Sequence, residues 1–432
     1  MKKIILMGAL ALSFTMHGQD FHRCYTQEAM EIQETLTPGY IDRVNETFER
    51  AKLVGTQNRE EVLTIPVVVH VVYNTAAENI PDSVIYNQID ILNADFRRTN
   101  EDAVNVRDTF NSIVGDTYID FRLATVDPEG NPTTGITRTN TAVTSFLDFA
   151  PLAEGVKHTA DGGVDAWDKS RYLNIWVCDM SYFGDVFLLG YATPPDGLDH
   201  WPPGAIDGMD DGVVVQYHCF GSNNPNTLMI GGVARDVYGR TLTHEVGHYL
   251  GLRHIWGDGG CGEQDGIDDT PNMSSESPQD CDLVKNTCVD DIGDLGDLPD
   301  MVENYMDYSA ETCQNSFTIG QGNLMRSVIE NFREGLIDDN PAVGLGIKEQ
   351  QDAPFEIELF PNPSSNGQVT ISISAIDVHS DVMVFSETGQ LIKALTVNGG
   401  SNELVVGDLA PGLYFVNVSN EVGVRIEKLI VH

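Results

Sequence analysis

Three histidines and one glutamate stand within eleven residues, at a spacing that suits a catalytic metal ion. The run from His244 to His254 reads HExxHxxGxxH. Residues four apart lie one above the other on a helix, so His244 and His248 present two ring nitrogens to one zinc ion. Glu245 is one position further round the helix, where its carboxylate can take a proton from a water on the metal. The motif therefore predicts a zinc site that performs hydrolysis.

Gly251 has a separate role in this motif. Glycine adopts a left-handed or open backbone at little cost, so the helix can end there and the chain can turn sharply. The turn brings back His254 as the third ligand and leaves a fourth position for water, as a catalytic zinc site requires. The alternative is an amphipathic core helix with incidental histidines. Such a helix would bury an apolar stripe of Leu242, Val246, Tyr249 and Leu250. It leaves two histidines on the opposite face and a third beyond the glycine unexplained.

The N-terminal residues indicate the compartment. Lys2 and Lys3 precede an apolar run over 4–14 that is too short to span a bilayer, which is typical of a secretory signal peptide. We assign residues 1–19 to this signal. No later segment approaches about 18 consecutive apolar residues, so no transmembrane segment is expected. The formal net charge of −40 disfavours nucleic acid and anionic membranes as partners.

The spacing of apolar residues predicts the elements that position the motif. Residues 20–60 are polar and helix-prone, and the β-branched run from Thr64 to Tyr73 predicts a buried strand. Within that run, His70 is better interpreted as a packed core residue than as a metal ligand, because no partner ligand is spaced from it. A helix is expected over 82–99. Further strands are expected at 119–126, 172–178 and 211–217. This order favours an α/β sandwich with the zinc-binding helix at about 240–250.

The last part of the chain has a different pattern. Residues 340–354 are rich in proline, glycine and polar residues, which indicates a linker. Residues 355–432 form short alternating runs between turns, which predicts a small all-β sandwich. This part contains no cysteine and no histidine cluster, so it carries no visible chemistry.

The seven cysteines are unevenly distributed. Four of them cluster around the motif: Cys261, Cys281, Cys288 and Cys313. Export permits disulfides among these four, and three connectivities are open. Cys178 and Cys219 end two predicted strands, where a third bridge and buried free thiols are both open. Cys24 is left over, far upstream.

Several separate blocks, in order, resemble the pappalysin family of the metzincin clan of zinc metallopeptidases. The blocks are Pro66–Val71, Leu92–Asn100, Gly239–Thr241, the motif itself, His254–Gly259, Asp268–Pro271 and the methionine-containing run Asn304–Ser309. The resemblance implies an α/β (α+β) metzincin-like catalytic domain over 61–339, with a twisted sheet and a zinc-binding helix. It also implies a secreted zinc endopeptidase made as a latent precursor, with residues 20–60 as the propeptide.

The resemblance assigns roles to residues of the motif and of the methionine turn. It implies that the three motif histidines bind zinc, that Glu245 is the general base and acid, and that Met306 is the hydrophobic floor under the metal. Tyr308 would stabilise the oxyanion of the tetrahedral intermediate, as a phenol can donate to developing charge. The alternative for Tyr308 is a packed aromatic residue.

The resemblance also implies disulfides and a calcium site. The family's pairing gives Cys261 with Cys288 and Cys281 with Cys313. The loop between them resembles the family's calcium site, because carboxylates and backbone carbonyls suit a hard cation. The candidate calcium ligands are Asp265, Thr270 and one or both of Asp268 and Asp269. The second aspartate run, Asp290 to Asp300, lacks such support and is interpreted as a solvated loop.

Cys24 acquires a role through the same resemblance. Family zymogens use a propeptide cysteine to fill the open zinc position, and a thiolate is an excellent zinc ligand. We therefore expect Cys24 to bind zinc in the latent precursor. The alternative is an unpaired cysteine without function.

The C-terminal residues 355–432 resemble the sorting domain of the type IX secretion system of Bacteroidetes. The resemblance is carried by Phe360–Pro363, Gly389–Leu391, Leu409–Tyr414 and the basic tail near Lys428. It implies that the secretion machinery is a partner and that the protein is secreted or displayed at the cell surface. The alternative is an ordinary appended binding domain, because a fold alone does not determine function.

Two functions therefore remain in comparison. The first is an endopeptidase whose protein or peptide substrate pairs with an edge strand above the zinc, for which we expect the segment Asp211 to Tyr217. The resemblance favours a basic residue after the cleaved bond. The second is a catalytically silent, metal-stabilised surface adhesin. The intact Glu245 and Tyr308 argue against the second.

Overall fold

The computed structural model describes nine stretches of the chain. These are residues 21–56, 61–147, 152–195, 210–337, 357–374, 380–386, 391–397, 403–420 and 423–432. The expected signal peptide (1–19) and linker (340–354) lie outside the described residues. Within the stretches above, no helix is long and apolar enough to cross a membrane.

Residues 21–56 form a short strand and two helices. These are β1 (His22–Cys24), α1 (Thr26–Leu36) and α2 (Tyr40–Val54). The helices agree with the polar, helix-prone sequence. The strand was not expected, because three residues carry no periodicity, and β1 exists only through pairing with a strand more than 160 residues away.

The described residues between 61 and 337 are called the catalytic part below. The catalytic part contains three further helices and ten strands in the residues the structure describes. The strands are β2 (Leu63–Tyr73), β3 (Ile119–Leu123), β4 (Ile136–Asn140), β5 (Leu173–Cys178), β6 (Ser181–Tyr182), β7 (Asp185–Val186), β8 (Leu188–Ala192), β9 (Val213–Gln216), β10 (Leu228–Ile230) and β11 (Val233–Arg235). The helices are α3 (Asp82–Phe96), α4 (Arg240–Tyr249) and α5 (Ile319–Phe332). The predicted α/β architecture, including the zinc helix, is confirmed.

One seven-stranded sheet organises this part. Its order is β1-β8-β9-β5-β2-β3, and β4 also pairs with β2. All neighbouring pairs are parallel except β8 with β9. Alternate residues of β2 pack on opposite faces: Val69 and Val71 join the core that includes Leu242 and Val246 of α4, and Val72 joins a second cluster. Burial on both faces explains why β2 is apolar almost without interruption.

The expected edge strand is wrong. The segment Asp211 to Tyr217 contains β9, which lies inside the sheet between β8 and β5. β8 is the last strand of the catalytic part at one end of the sheet, and β1 pairs along its outer edge. The sequence concealed β8, because its five residues include Gly190 and follow two strands of only two residues each.

The described residues between 357 and 432 form two antiparallel sheets. The strands are β12 (Ile357–Phe360), β13 (Val369–Ile373), β14 (Ser380–Ser386), β15 (Leu391–Val397), β16 (Glu403–Val406), β17 (Gly412–Asn420) and β18 (Gly423–Val431). The sheet orders are β12-β13-β16 and β15-β14-β17-β18. Apolar residues of both sheets share one core, for example Ile371 with Val384 and Val416. The expected small all-β sandwich is confirmed.

Candidate active site

Helix α4 carries the first two motif histidines and the glutamate. It begins after Gly239, which has a φ of +80°, and the Glu311 carboxylate accepts hydrogen bonds from the backbone N–H of Thr241 (2.9 Å) and of Tyr238 (2.6 Å). A carboxylate at this end satisfies free N–H groups and complements the helix dipole. The helix ends at Tyr249, and Gly251 follows with a φ of +95°, the left-handed turn that the motif requires.

The three ring systems of His244, His248 and His254 converge, and we call this group the histidine site. Nε2 of His248 lies 3.1 Å from Nε2 of His244 and 3.1 Å from Nε2 of His254. Three nitrogens about 2.05 Å from a tetrahedral zinc ion lie about 3.3 Å apart, so the site fits this metal. Burial and the neighbouring rings lower the pKa of His244, and burial lowers the pKa of His248 to about 3. Neutral rings are the form that binds a metal.

Each ring is also held from behind. Nδ1 of His244 donates to the Tyr305 carbonyl (2.7 Å), and Nδ1 of His248 donates to the Leu252 carbonyl (2.8 Å). Nδ1 of His254 lies 2.6 Å from the Asp258 carboxylate. These bonds leave Nε2 free to face the metal, as in other metal sites whose outer partners orient the ligands. Sequence reasoning missed Asp258, although its position four residues after the last ligand was a signal.

Glu245 lies beside the histidine site. Its side chain is fully buried, and burial raises the pKa of this carboxyl to about 8. One oxygen, Oε2, accepts hydrogen bonds from the Thr26 hydroxyl (3.2 Å) and the Cys24 thiol (3.4 Å). The other oxygen has no partner among the described residues. A Cβ at Gly190 of β8 would lie 2.8 Å from Cγ of Glu245, so only glycine lets this strand pass the carboxylate.

Met306 packs directly beneath α4. It is completely buried, and a Cβ at Gly247 would lie 2.5 Å from its sulfur. A side chain at position 247 would therefore collide with Met306 where it packs now, which explains the glycine there. Sequence reasoning did not assign a reason to Gly247.

Tyr308 lies at the open side of the histidine site. Its hydroxyl is 3.1 Å from Nε2 of His254 and donates to the carbonyl of Cys24 at 3.3 Å. The side chain is partly buried and packs edge-on against Trp256. The hydroxyl thus faces the same space as the metal-facing nitrogens, and a carbonyl already occupies its donor side.

Cys24 is brought into the histidine site by β1. Its sulfur and one ring nitrogen of each histidine lie within 4.8 Å of one another, and the described residues contain no other group of three or more metal-ligating atoms this close. Strand β1 is parallel to β8, with Cys24 opposite Gly190. The four groups are all buried. A thiolate and three imidazoles are a complete tetrahedral set for zinc.

The residue before Cys24 is also buried in the catalytic part. The Arg23 guanidinium donates to the Ser309 carbonyl and, at 2.6 Å, to Oε1 of Gln314. Gln314 is held in turn by donating to the Asp307 carbonyl at 2.6 Å. Sequence reasoning assigned no role to Arg23.

The cysteines pair as follows. Cys261 is bonded to Cys288, and Cys281 to Cys313, the two pairs that the resemblance implied. Cys178 and Cys219 are both buried and free, so the third bridge left open above does not form in this structure.

The aspartates expected at the calcium site are only partly gathered. We call residues 265–270 the acidic loop. In it, Oδ1 of Asp265 accepts from the Thr270 hydroxyl (2.7 Å), while Asp269 accepts from the N–H of Gly320 (2.7 Å). Oδ2 of Asp265 and Oδ1 of Asp269 are buried and have no partner among the described residues. Asp268 differs, because its side chain is almost fully exposed and lies 3.6 Å from the Lys52 ammonium.

The second aspartate run is not entirely a solvated loop. Asp300 is buried and accepts from the N–H of Thr287 at 2.9 Å, and Asp290 accepts from the N–H of Asn272 at 2.8 Å. These carboxylates brace the loop through backbone bonds that a sequence pattern does not reveal. Asp294 between them is exposed.

Comparison with known proteins identifies the fold and the reaction. A family described as pregnancy-associated plasma protein-A matches residues 159–330. An extracellular metalloprotease of Verticillium alfalfae is 31% identical over 289 residues, which cover 65% of this chain and 83% of that protein. The chain belongs to the pappalysin family. It is a secreted zinc metalloendopeptidase.

Solved structures place this pappalysin beside a known mature enzyme and its precursor. Mature mirolysin of Tannerella forsythia, in complex with a cleaved peptide, is 40% identical, covers 65% of this chain and 97% of its own, and has a TM-score of 0.56. A promirolysin mutant of the same organism is 37% identical, covers 73% of this chain and 97% of its own, and has a TM-score of 0.60. The promirolysin structure therefore matches a larger part of this chain than the mature mirolysin structure does.

The C-terminal part matches a different family. Residues 358–432 match a secretion system C-terminal sorting domain. The pappalysin therefore carries a type IX sorting tail and acts outside the cell or at its surface.

Proposed function

We propose that His244, His248 and His254 hold the catalytic zinc and that Glu245 moves the proton during peptide hydrolysis. The observation that carries this proposal is the convergence of the three rings, with Nε2 of His248 3.1 Å from Nε2 of each of the other two, next to a buried carboxylate. We also propose 20–60, 61–339 and 355–432 as the propeptide, catalytic and sorting domains.

Zinc at this position supplies Lewis-acid chemistry, since it polarises a carbonyl and lowers the pKa of water toward neutrality. Glu245 takes a proton from the attacking water and passes it to the leaving nitrogen, the general base and acid role that a carboxylate beside the histidine site can perform. The hydroxyl of Tyr308 donates to the oxygen that becomes negative. Met306 keeps the floor of the histidine site apolar.

The test of this proposal is Glu245→Gln, which keeps the shape of the side chain. We expect zinc to remain bound while cleavage of casein falls to background. Cys178→Ala is the control, because this buried thiol has no part in the proposed chemistry. The Cys178→Ala variant should cleave casein as the parent does. Retained cleavage by Glu245→Gln would contradict the assignment, and a zinc-loaded mature protein that cleaves nothing would favour the adhesin.

We further propose that the propeptide maintains latency through two adjacent contacts. Cys24 fills the fourth position of the histidine site, and the Thr26 hydroxyl bonds to Oε2 of Glu245 at 3.2 Å. The same hydroxyl accepts from the N–H of Ala192 at 2.9 Å, which anchors it to β8. The metal position and the proton-transfer group are therefore blocked together.

Separate variants distinguish the two contacts. We expect Cys24→Ala to convert the precursor to an active peptidase before any cleavage of the chain, and Thr26→Val to weaken latency less, since it removes one hydrogen bond. Cys219→Ala, a buried free cysteine, is the control and should stay latent. A Cys24→Ala precursor as latent as the parent would refute the switch.

The binding of Arg23 supports a basic preference in the adjacent subsite. Strand β1 is parallel to β8, and we propose that a substrate pairs with β8 in the opposite, antiparallel direction. In a reversed segment, the residue before Cys24 falls where the residue after the cleaved bond would lie. We propose that Gln314 and the Ser309 carbonyl accept arginine there. Two peptides that differ only in arginine or leucine after the cleaved bond test this, and equal kcat/KM values would refute it.

We propose that the acidic loop binds calcium through Asp265, Asp269 and the oxygen of Thr270. The proposal is supported by the two buried carboxylate oxygens that lack partners, because such atoms cost free energy unless a cation or donor satisfies them. Asp268 is left out of this ligand set, because its side chain is exposed. Calcium should raise the melting temperature of the parent and not of Asp265→Asn, and an equal rise in both would refute the site.

A further inference from the structure

Asp95 on α3 is a buried carboxylate that the proposed chemistry does not use. Its side chain is 3% exposed, and it lies in the Leu92–Asn100 block that the family resemblance left without a role. Removing a carboxylate from water is costly unless hydrogen bonds and charges compensate. The partners of Asp95 therefore indicate what it does.

One oxygen of Asp95 fixes the residue behind the first zinc ligand. Oδ1 accepts a hydrogen bond from the Tyr305 hydroxyl at 2.8 Å. The backbone carbonyl of the same tyrosine accepts from Nδ1 of His244 at 2.7 Å. The Tyr305 side chain is completely buried, so the bond to Asp95 sets where its backbone lies, and the carbonyl sets how the imidazole turns.

The other oxygen of Asp95 holds the zinc helix itself. Oδ2 accepts from the hydroxyl of Thr243, the residue directly before His244, at 2.8 Å. The Arg240 guanidinium, at the start of α4, lies 3.6 Å from Oδ1 and forms its shorter ion pair, 2.7 Å, with Asp102. The Asp95 carboxylate is thus bonded to both structures that position His244. These are helix α4, which carries His244, and the turn whose carbonyl accepts the hydrogen bond from Nδ1 of His244.

We propose that Asp95 is a positioning residue for the zinc ligand His244. It acts through Tyr305 and Thr243, and it touches neither the metal nor the substrate. The proposal rests on the proposed role of His244 as a zinc ligand. A carboxylate that merely filled the core would have no reason to bond both supports of one ligand. Fixed supports hold the imidazole in the orientation that zinc requires, so loosening them should weaken zinc binding.

The test measures zinc release in the full chain. All variants carry Glu245→Ala, so that none can cleave itself, and zinc transfer to a coloured chelator is followed over time. Asp95→Ala and Tyr305→Phe should each speed release by about 10- to 100-fold, as expected for outer partners of metal ligands. Asp95→Ala combined with Tyr305→Phe should be no faster than Asp95→Ala alone, because Asp95→Ala already removes the bond to the Tyr305 hydroxyl. The visible spectrum of the cobalt-substituted protein should shift in both single variants.

The control is Asp90→Ala, the same substitution on the exposed face of α3, which should release zinc at the parental rate. Parental release by Asp95→Ala, or additive effects in the double variant, would overturn the proposal. If Asp95→Ala does not fold, Tyr305→Phe decides alone, and parental release would overturn it. A purely structural role would lower the melting temperature of the zinc-free protein without changing release or the cobalt spectrum. A His244→Ala variant that keeps zinc would refute the metal site itself.

Discussion

The histidine site and the acidic loop both gather buried polar groups, yet they are completed differently. Each ring of the histidine site has its outer nitrogen bonded to the protein. In the acidic loop, one carboxylate oxygen of Asp265 and one of Asp269 are buried without a partner in the part of the chain that the structure describes. The protein itself supplies the bonds that orient the rings, whereas these two carboxylate oxygens lack such bonds within the described residues.

The pKa shifts support the same difference between the histidine site and the acidic loop. Burial lowers the pKa of His248 to about 3 and raises the pKa of Asp265 to about 7. The neutral imidazole is already the metal-binding form, but the neutral carboxyl must lose its proton to bind calcium. We infer that zinc enters a preformed site, while calcium completes the structure of its own loop.

Selective removal of each ion gives the largest expected effect. A zinc-selective chelator should reduce peptide cleavage by the mature enzyme to background and leave amide hydrogen exchange of the α4 backbone unchanged. A calcium-selective chelator should speed exchange in the acidic loop by about tenfold or more, because local opening is then less costly. If zinc removal also exposed α4 to exchange, the histidine site would not be preformed.

Asp258 tests how far the outer bonds make the histidine site independent of its metal. Asp258 has a φ of +56°, so Asp258→Gly removes the carboxylate without backbone strain. We expect zinc affinity to fall by about 10- to 100-fold, since His254 loses its Nδ1 partner. Asp258→Asn keeps an acceptor oxygen and should recover most of the affinity. Zinc affinity is measured by competition with a chelator. Equal affinity in Asp258→Gly and the parent would show that the bond between Asp258 and His254 does not support zinc binding.

The acidic loop should respond to pH where the histidine site does not. The folded-state pKa of Asp265 is raised from 3.8 to about 7, so its contribution to stability is present at low pH and is lost as pH rises from about 4 through about 7. In the proposed site calcium binds the ionised carboxylate, so the rise in melting temperature on adding calcium should be small at pH 5 and largest above pH 7. Asp265→Asn should abolish this dependence. A calcium effect independent of pH would show that Asp265 is not the group being titrated.

The sequence predicts the metal-binding residues themselves better than the residues that support them. The histidines, Gly251 and the zinc helix were predictable, because spacing on a helix is a local property. The supports were not: the Tyr305 carbonyl and Asp95 reach His244 across more than 60 and about 150 residues of chain. The prediction of the edge strand was wrong for a similar reason. Which strand lies at an edge depends on pairing between distant residues, and the five residues of β8 are too few to show a clear strand pattern.

Carboxylates also show what composition alone cannot reveal. Asp265 and Asp294 both stand in aspartate-rich loops, but one is buried and the other exposed. The aspartate content of the two loops does not separate them, because the difference lies in what packs over each loop.

Asp294→Asn is the smallest expected effect and sharpens the comparison between the loops. It removes the same single charge as Asp265→Asn, but from an exposed side chain that needs no compensation. We expect its free energy of unfolding to stay within about 0.5 kcal/mol of the parent, since surface substitutions away from specific contacts change little. Its calcium-induced rise in melting temperature should equal that of the parent. If Asp294→Asn reduced the calcium response as Asp265→Asn does, general acidity would explain calcium binding, and the buried, partnerless oxygens of the acidic loop would not.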